Sequence, residues 1–107
     1  MVIEWLEFQV PVEERERYVQ LDDQIWTSAL QQYPGFISKE TWIDPQDLER
    51  VVLVIHWQSR EVWKAIPEAE LTEIEQRFDA AFDRPYQMIA SREFQIRRFP
   101  VGSTSPS

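Results

Sequence analysis

The stretch VVLVIHWQ, Val51 to Gln58, narrows the possible folds more than any other part of this chain. It is short, rich in β-branched residues and almost wholly apolar. A strand that faces water on one side alternates polar and apolar residues, and this one does not. It therefore reads as an inner strand of a sheet, covered on both faces.

The rest of the chain supplies what such a strand needs. VIEWLEFQV, 2–10, alternates: Val2, Leu6, Phe8 and Val10 share one face, with Glu4 as the exception, and Ile3, Trp5, Glu7 and Gln9 share the other. Pro11 ends that strand, and a helical period runs from Val12 to Tyr33. Tyr18, Leu21, Ile25, Trp26, Ala29 and Tyr33 fall in one arc of it, with Val19 and Leu30 at its border. Pro34-Gly35 stops the helix, and 36–43 reads as a second strand. DPQDLER, 44–50, is a turn before the apolar run. Ser59 is a suitable N-cap for a short helix ending near Pro67. A second main helix over 68–82 places Leu71, Ile74, Phe78, Ala81 and Phe82 together. Asp83-Arg84-Pro85 breaks it, and 86–99 is a last strand.

The order is β-α-β-β-α-β. It predicts an α+β, ferredoxin-like domain over 1–99, with a four-stranded antiparallel sheet and helices on one face. The polar tail 100–107 is expected to be disordered. Helices cover only one side of such a sheet. The other side would hold bulky groups such as Ile3 and Trp5, or Trp42, Val54 or Met88 from the other strands. A patch of several hundred Å² is more than a soluble monomer usually leaves open. Two copies stacked sheet to sheet would cover it, giving a homodimer with a dimeric α/β barrel.

Composition excludes several functions. The chain has 11 basic against 19 acidic residues, so a phosphate-binding surface is not expected, and neither nucleic acid nor an anionic membrane is a partner. It has no cysteine, which excludes thiolate nucleophiles, disulfides and the usual zinc sites. A single histidine builds no metal site, and two glycines build no phosphate loop. No apolar run is long enough to span a bilayer, and the first residues have acids where a signal peptide needs bases. These features predict a cytoplasmic protein without metal or cofactor.

A few residues stand out as candidates for chemistry. Asp22 lies inside the apolar arc of the first helix, where a carboxylate loses hydration. It is either a structural ion pair or an acid-base group in a pocket with a raised pKa. Lys39, mid-strand just after the turn, is a geometrically possible partner. His56, the only histidine, is either a hydrogen-bonded strand residue or a base. Five tryptophans are many for 107 residues. They are core or dimer contacts, or the wall of a pocket for a flat ligand, and Trp26 and Trp42 are the first choices for that wall. The acids of 68–75 read as a solvated face.

LQQYPGFISKETWI and VVLVIHWQSREVWKAI carry a family resemblance. Pro34-Gly35-Phe36 follows the first helix, and a strand ending in Trp57-x-Ser59 precedes a short one. In these features the chain, over roughly 1–99, resembles the antibiotic biosynthesis monooxygenase-like superfamily and its small uncharacterised members. The resemblance implies a dimeric α+β barrel with a pocket between sheet and helices. It includes cofactor-free oxygenases of phenolic polyketides, isomerases, haem-degrading enzymes and proteins without known activity. The haem degraders use a helical histidine with an asparagine, and this chain has no asparagine. The expected function is binding of a small flat apolar or aromatic molecule, with Asp22 and His56 as candidate catalytic groups and Trp26, Lys39 and Trp42 as ligand contacts. The alternatives are a cofactor-independent monooxygenase or isomerase of a phenolic or quinol substrate, and a purely structural dimer.

Overall fold

The computed structural model describes residues 1–98, so Phe99 and the tail expected over 100–107 lie outside the described residues. β1 (Val2–Gln9) leads through one 3₁₀ turn (Val12–Glu14) into a continuous helical stretch. That stretch begins as α1 (Arg15–Leu21), widens into a π-helical segment (Asp22–Thr27) and ends as α2 (Ser28–Leu30). β2 (Phe36–Ile43) and β3 (Arg50–Trp57) follow, then α3 (Arg60–Lys64), α4 (Glu68–Phe82) and β4 (Gln87–Gln95). The four strands form one antiparallel sheet in the order β2-β3-β1-β4. The fold is ferredoxin-like, and the sheet is not closed within one chain.

β3 is an inner strand, as its composition demands, and Val51 to Ile55 are all buried. Its alternate residues serve opposite layers. Val51, Leu53, Ile55 and Trp57 join Val2, Phe8 and Val10 of the β1 region beneath the helices. Above them, Tyr18, Phe78, Phe82 and Tyr86 interlock at ring separations of 5.2–5.8 Å. Pairs of this kind add about 0.5–1.5 kcal/mol each beyond the area they bury.

The far face of the sheet follows from the register. Ile3, Trp5 and Glu7 stand beside His56, Val54 and Val52, which in turn stand beside Ser38, Glu40 and Trp42. Arg92 and Phe94 of β4 continue this face beyond Trp5 and Ile3. Ile3, Trp5, Trp42 and Val54 thus share the face that no helix covers, whereas Met88 points to the helix side. A bulge between Glu7 and Phe8 shifts the β1–β4 register and lets Met88 pair with Phe8. Two of the cations here find partners within the chain. The Arg50 guanidinium donates to buried Glu7 at 2.7 Å, and the Arg92 guanidinium lies 5.6 Å from the centre of the Trp5 ring.

Helix ends are set by specific groups. Ser59 Oγ accepts from the Val62 N–H and caps α3. The Arg17 side chain donates to the carbonyls of Ala81 (2.6 Å) and Phe82 at the end of α4, where Asp83 takes a left-handed conformation (φ 51°). Gly35 turns the chain into β2 with φ 88°, and a Cβ there would meet Val62 Cγ2 at 2.3 Å. Gly35→Ala therefore combines backbone strain with a clash. It is expected to destabilise the fold by more than about 1 kcal/mol, read as a lower urea midpoint with an unchanged slope.

Candidate ligand cavity and its buried ion pair

Between the helical layer and the sheet lies a cavity of about 850 Å³. Its floor is Leu6, Phe8, Leu53 and Ile55. Indole and phenol rings from Trp26, Trp57, Trp63 and Tyr18 form much of its wall. Thr72 and Glu75 of α4 and Met88 and Ser91 of the exposed edge strand β4 also line it.

Asp22 is 1% exposed and starts the π-helical segment. A π turn inserted in a helix shifts the direction of the side chains on it and recurs at functional sites. The Lys39 ammonium reaches in from β2 and donates to Asp22 Oδ2 at 2.6 Å and to Thr27 Oγ1 at 2.8 Å. Both side chains are nearly sealed from solvent, at 2% for Asp22 and 3% for Lys39. Asp22 Oδ1 accepts no hydrogen bond from any described residue. Burial raises the Asp22 pKa above the ordinary carboxylate value, and the adjacent Lys39 opposes this without cancelling it.

A second carboxyl stands in the same cavity. Glu4 breaks the alternation of β1 and points to the helix side, where the Trp57 indole N–H donates to its Oε1 at 3.1 Å. Burial raises its pKa as well, against the pull of the Trp57 hydrogen bond, Lys64 and Lys39. Trp57 itself is fully buried, and Glu4 satisfies its one donor. The polar exception in an otherwise regular strand was the visible signal for Glu4. Tyr18, one turn before Asp22, also lines the cavity, and burial with the nearby Asp22 charge raises its phenol pKa.

Of the five candidate residues read from the sequence, the structure brings Asp22, Trp26 and Lys39 to one cavity. His56 and Trp42 are elsewhere, because their strand positions place them on the far face. Trp42 is 48% exposed there, and its indole N–H donates to Glu40 Oε1 at 2.8 Å. His56 Nε2 lies 3.6 Å from Glu40 Oε2. Trp57 and Trp63 supply the aromatic wall that Trp42 does not. The acids of 68–75 are exposed, as expected, and two of them, Glu68 and Glu75, also border the cavity.

A split β-α-β sandwich with an aromatic cavity under its helices defines the class of small α+β proteins to which this fold belongs. The sequence profile of the antibiotic biosynthesis monooxygenase family matches residues 1–81, and the chain belongs to that family. No curated protein matches it. Among solved structures it is similar to a candidate antibiotic biosynthesis monooxygenase of Deinococcus radiodurans, with TM-score 0.69, 18% identity, and 92% of this chain and 95% of that one covered. It is similar to a monooxygenase of Streptomyces coelicolor in complex with nanaomycin D, with TM-score 0.68, 18% identity and coverage of 92% and 88%. It is also similar to SnoaB, a cofactor-independent oxygenase of Streptomyces nogalater, with TM-score 0.67, 12% identity and coverage of 94% and 96%. Among the described residues no helix is long and apolar enough to cross a membrane.

The ion pair makes a pH-dependent prediction. Replacing Lys39 by Met strands a buried carboxylate, a change that costs about 3–5 kcal/mol. The folded Asp22 carboxyl binds its proton more tightly than the unfolded one, so its contribution to stability is greatest at acid pH and declines as pH rises. Lys39→Met raises that folded pKa further. Its penalty should therefore be large at about pH 8 and much smaller at about pH 4.5, and Asp22→Asn in the same chain should relieve it. Urea unfolding of the unaltered chain, each single variant and the double variant at both pH values measures this.

Proposed function

We propose that this protein is a cofactor-independent monooxygenase whose cavity holds a flat phenolic or quinol substrate. The observation that carries the reading is the unpartnered Asp22 Oδ1, buried in an aromatic-walled space beside the Lys39 ammonium. A carboxylate with a raised pKa is matched to taking a proton from a phenol. Lys39 uses two of its three donors on Asp22 and Thr27, and the third is free to steady the phenolate oxygen. The deprotonated ring is rich enough in electrons to reduce O₂ directly. One oxygen atom enters the ring as a second carbonyl, and the other leaves as water with two substrate hydrogens. Phenol plus O₂ becomes quinone plus water, and no other reductant is consumed. The surrounding tryptophans exclude bulk water from the reactive ring.

The acting form in this reading is a homodimer closed through the far face of the sheet. Trp42 and Phe94 stand half-exposed there, beside Ile3, Trp5 and Val54. Members of the family are commonly dimeric. Sedimentation at low micromolar concentration should give a dimer, and Trp42→Glu with Phe94→Glu should give a folded monomer. A folded single subunit of the unaltered chain would sink this part of the reading.

Turnover is tested by oxygen uptake on a panel of phenols and quinols, with quinone formation followed by absorbance. Asp22→Asn should lower kcat by about 100-fold or more and leave substrate affinity within a few-fold. Tryptophan quenching without oxygen uptake would move the assignment from enzyme to binding protein. Full activity of Asp22→Asn would remove Asp22 as the base.

A further inference from the structure

Along α4, Glu68, Thr72, Glu75 and Asp79 recur at helical spacing and form one stripe that borders the cavity. With Glu4 and Asp22 inside, carboxyl groups outnumber the lining ammoniums, which are Lys39 and Lys64. Lys39 has one donor left, which the phenol oxygen takes in the reading above, so Lys64 is the only further ammonium in the lining. Lys39 is held by Asp22 and Thr27, and Lys64 lies over the Trp63 ring, 4.1 Å from its centre. Asp79 accepts from the Tyr86 hydroxyl, while Glu68 and Glu75 are exposed. Acidic residues on a helix surface by themselves mean only solvation. Here they stand over a cavity with a buried, unpartnered carboxylate oxygen of Asp22 in its lining, and the two observations are independent.

We propose that the cavity selects an aromatic hydroxyl compound bearing a protonated amine, with the ring among the tryptophans, the hydroxyl toward Asp22 and the ammonium toward the Glu68–Glu75 stripe. This deepens the cavity reading above and rests on it. A ligand ammonium gains from the exposed carboxylates and from the rings of the lining. A ligand carboxylate meets like charge, so carboxylated aromatics are disfavoured.

Three probes of one shape separate the terms: tyramine, para-ethylphenol and para-hydroxyphenylpropionate, which are cationic, neutral and anionic at neutral pH. Calorimetry on the full chain at low ionic strength should rank them in that order, with about tenfold between cation and anion or more. Glu68→Gln with Glu75→Gln should bring the cation-to-anion ratio toward one. Glu73→Gln, which removes one charge from α4 outside the cavity lining, should leave the ratio in place. Added salt should shrink it. Binding of all three with equal affinity, or tighter binding of the anion, overturns the charge selection and leaves the cavity reading standing. A ratio that survives the double substitution overturns the role of the stripe. Failure of all three to bind a folded protein overturns both.

Discussion

The Lys39–Asp22 pair is the constraint around which the interior is arranged. An ammonium from an edge strand and a carboxylate from a helix meet at 2.6 Å with almost no access to water. Neither charge could occupy this depth alone. Together they tie the helical stretch to β2, where the layer would otherwise be free to settle onto the sheet. Buried pairs of this kind add little net stability compared with apolar side chains of the same size. What the pair does provide is position. It holds the π-helical segment at one height above the sheet and leaves one carboxylate oxygen without a partner.

The architecture was legible because its signals are local and redundant. The apolar run at 51–57 marks an inner strand, Pro34-Gly35 marks a turn, and the period of 68–82 marks a helix. Each does so without reference to the others. The site was only half legible. Asp22 announced itself as a charge in an apolar arc, and Lys39 as a strand residue within reach of it. His56 and Trp42 were misleading as cavity groups because residue type says nothing about strand phase. Only the register, Ser38 beside His56 and Trp42 beside Val52, assigns them to the far face. Leu30 was placed at the border of the helical arc and is buried in the core. The π turns before it rotate the later residues relative to a uniform helix, and no composition rule foretells them.

The family relationship and the chemistry rest on different parts of the molecule. Relatives with 12–18% identity share the sheet order and helical cover, which is a statement about fold. The features that would distinguish this chain lie in side chains: Glu4 bound to the Trp57 indole, Asp22 bound to Lys39, and the acidic stripe of α4. Burial raises the pKa of both carboxyls, Glu4 and Asp22, in one largely apolar space.

Charge on the uncovered side of the sheet is matched only in part within one subunit. Glu7 is neutralised by Arg50 within the same subunit, and Glu40 is engaged by Trp42. Glu40 is held by a neutral indole and Arg92 lies over the Trp5 ring, so a second layer laid on this face would dehydrate charges that no close ion pair balances. That dehydration opposes docking, while the apolar rings of the same face favour it. The occupancy of such a surface would follow salt as well as protein concentration.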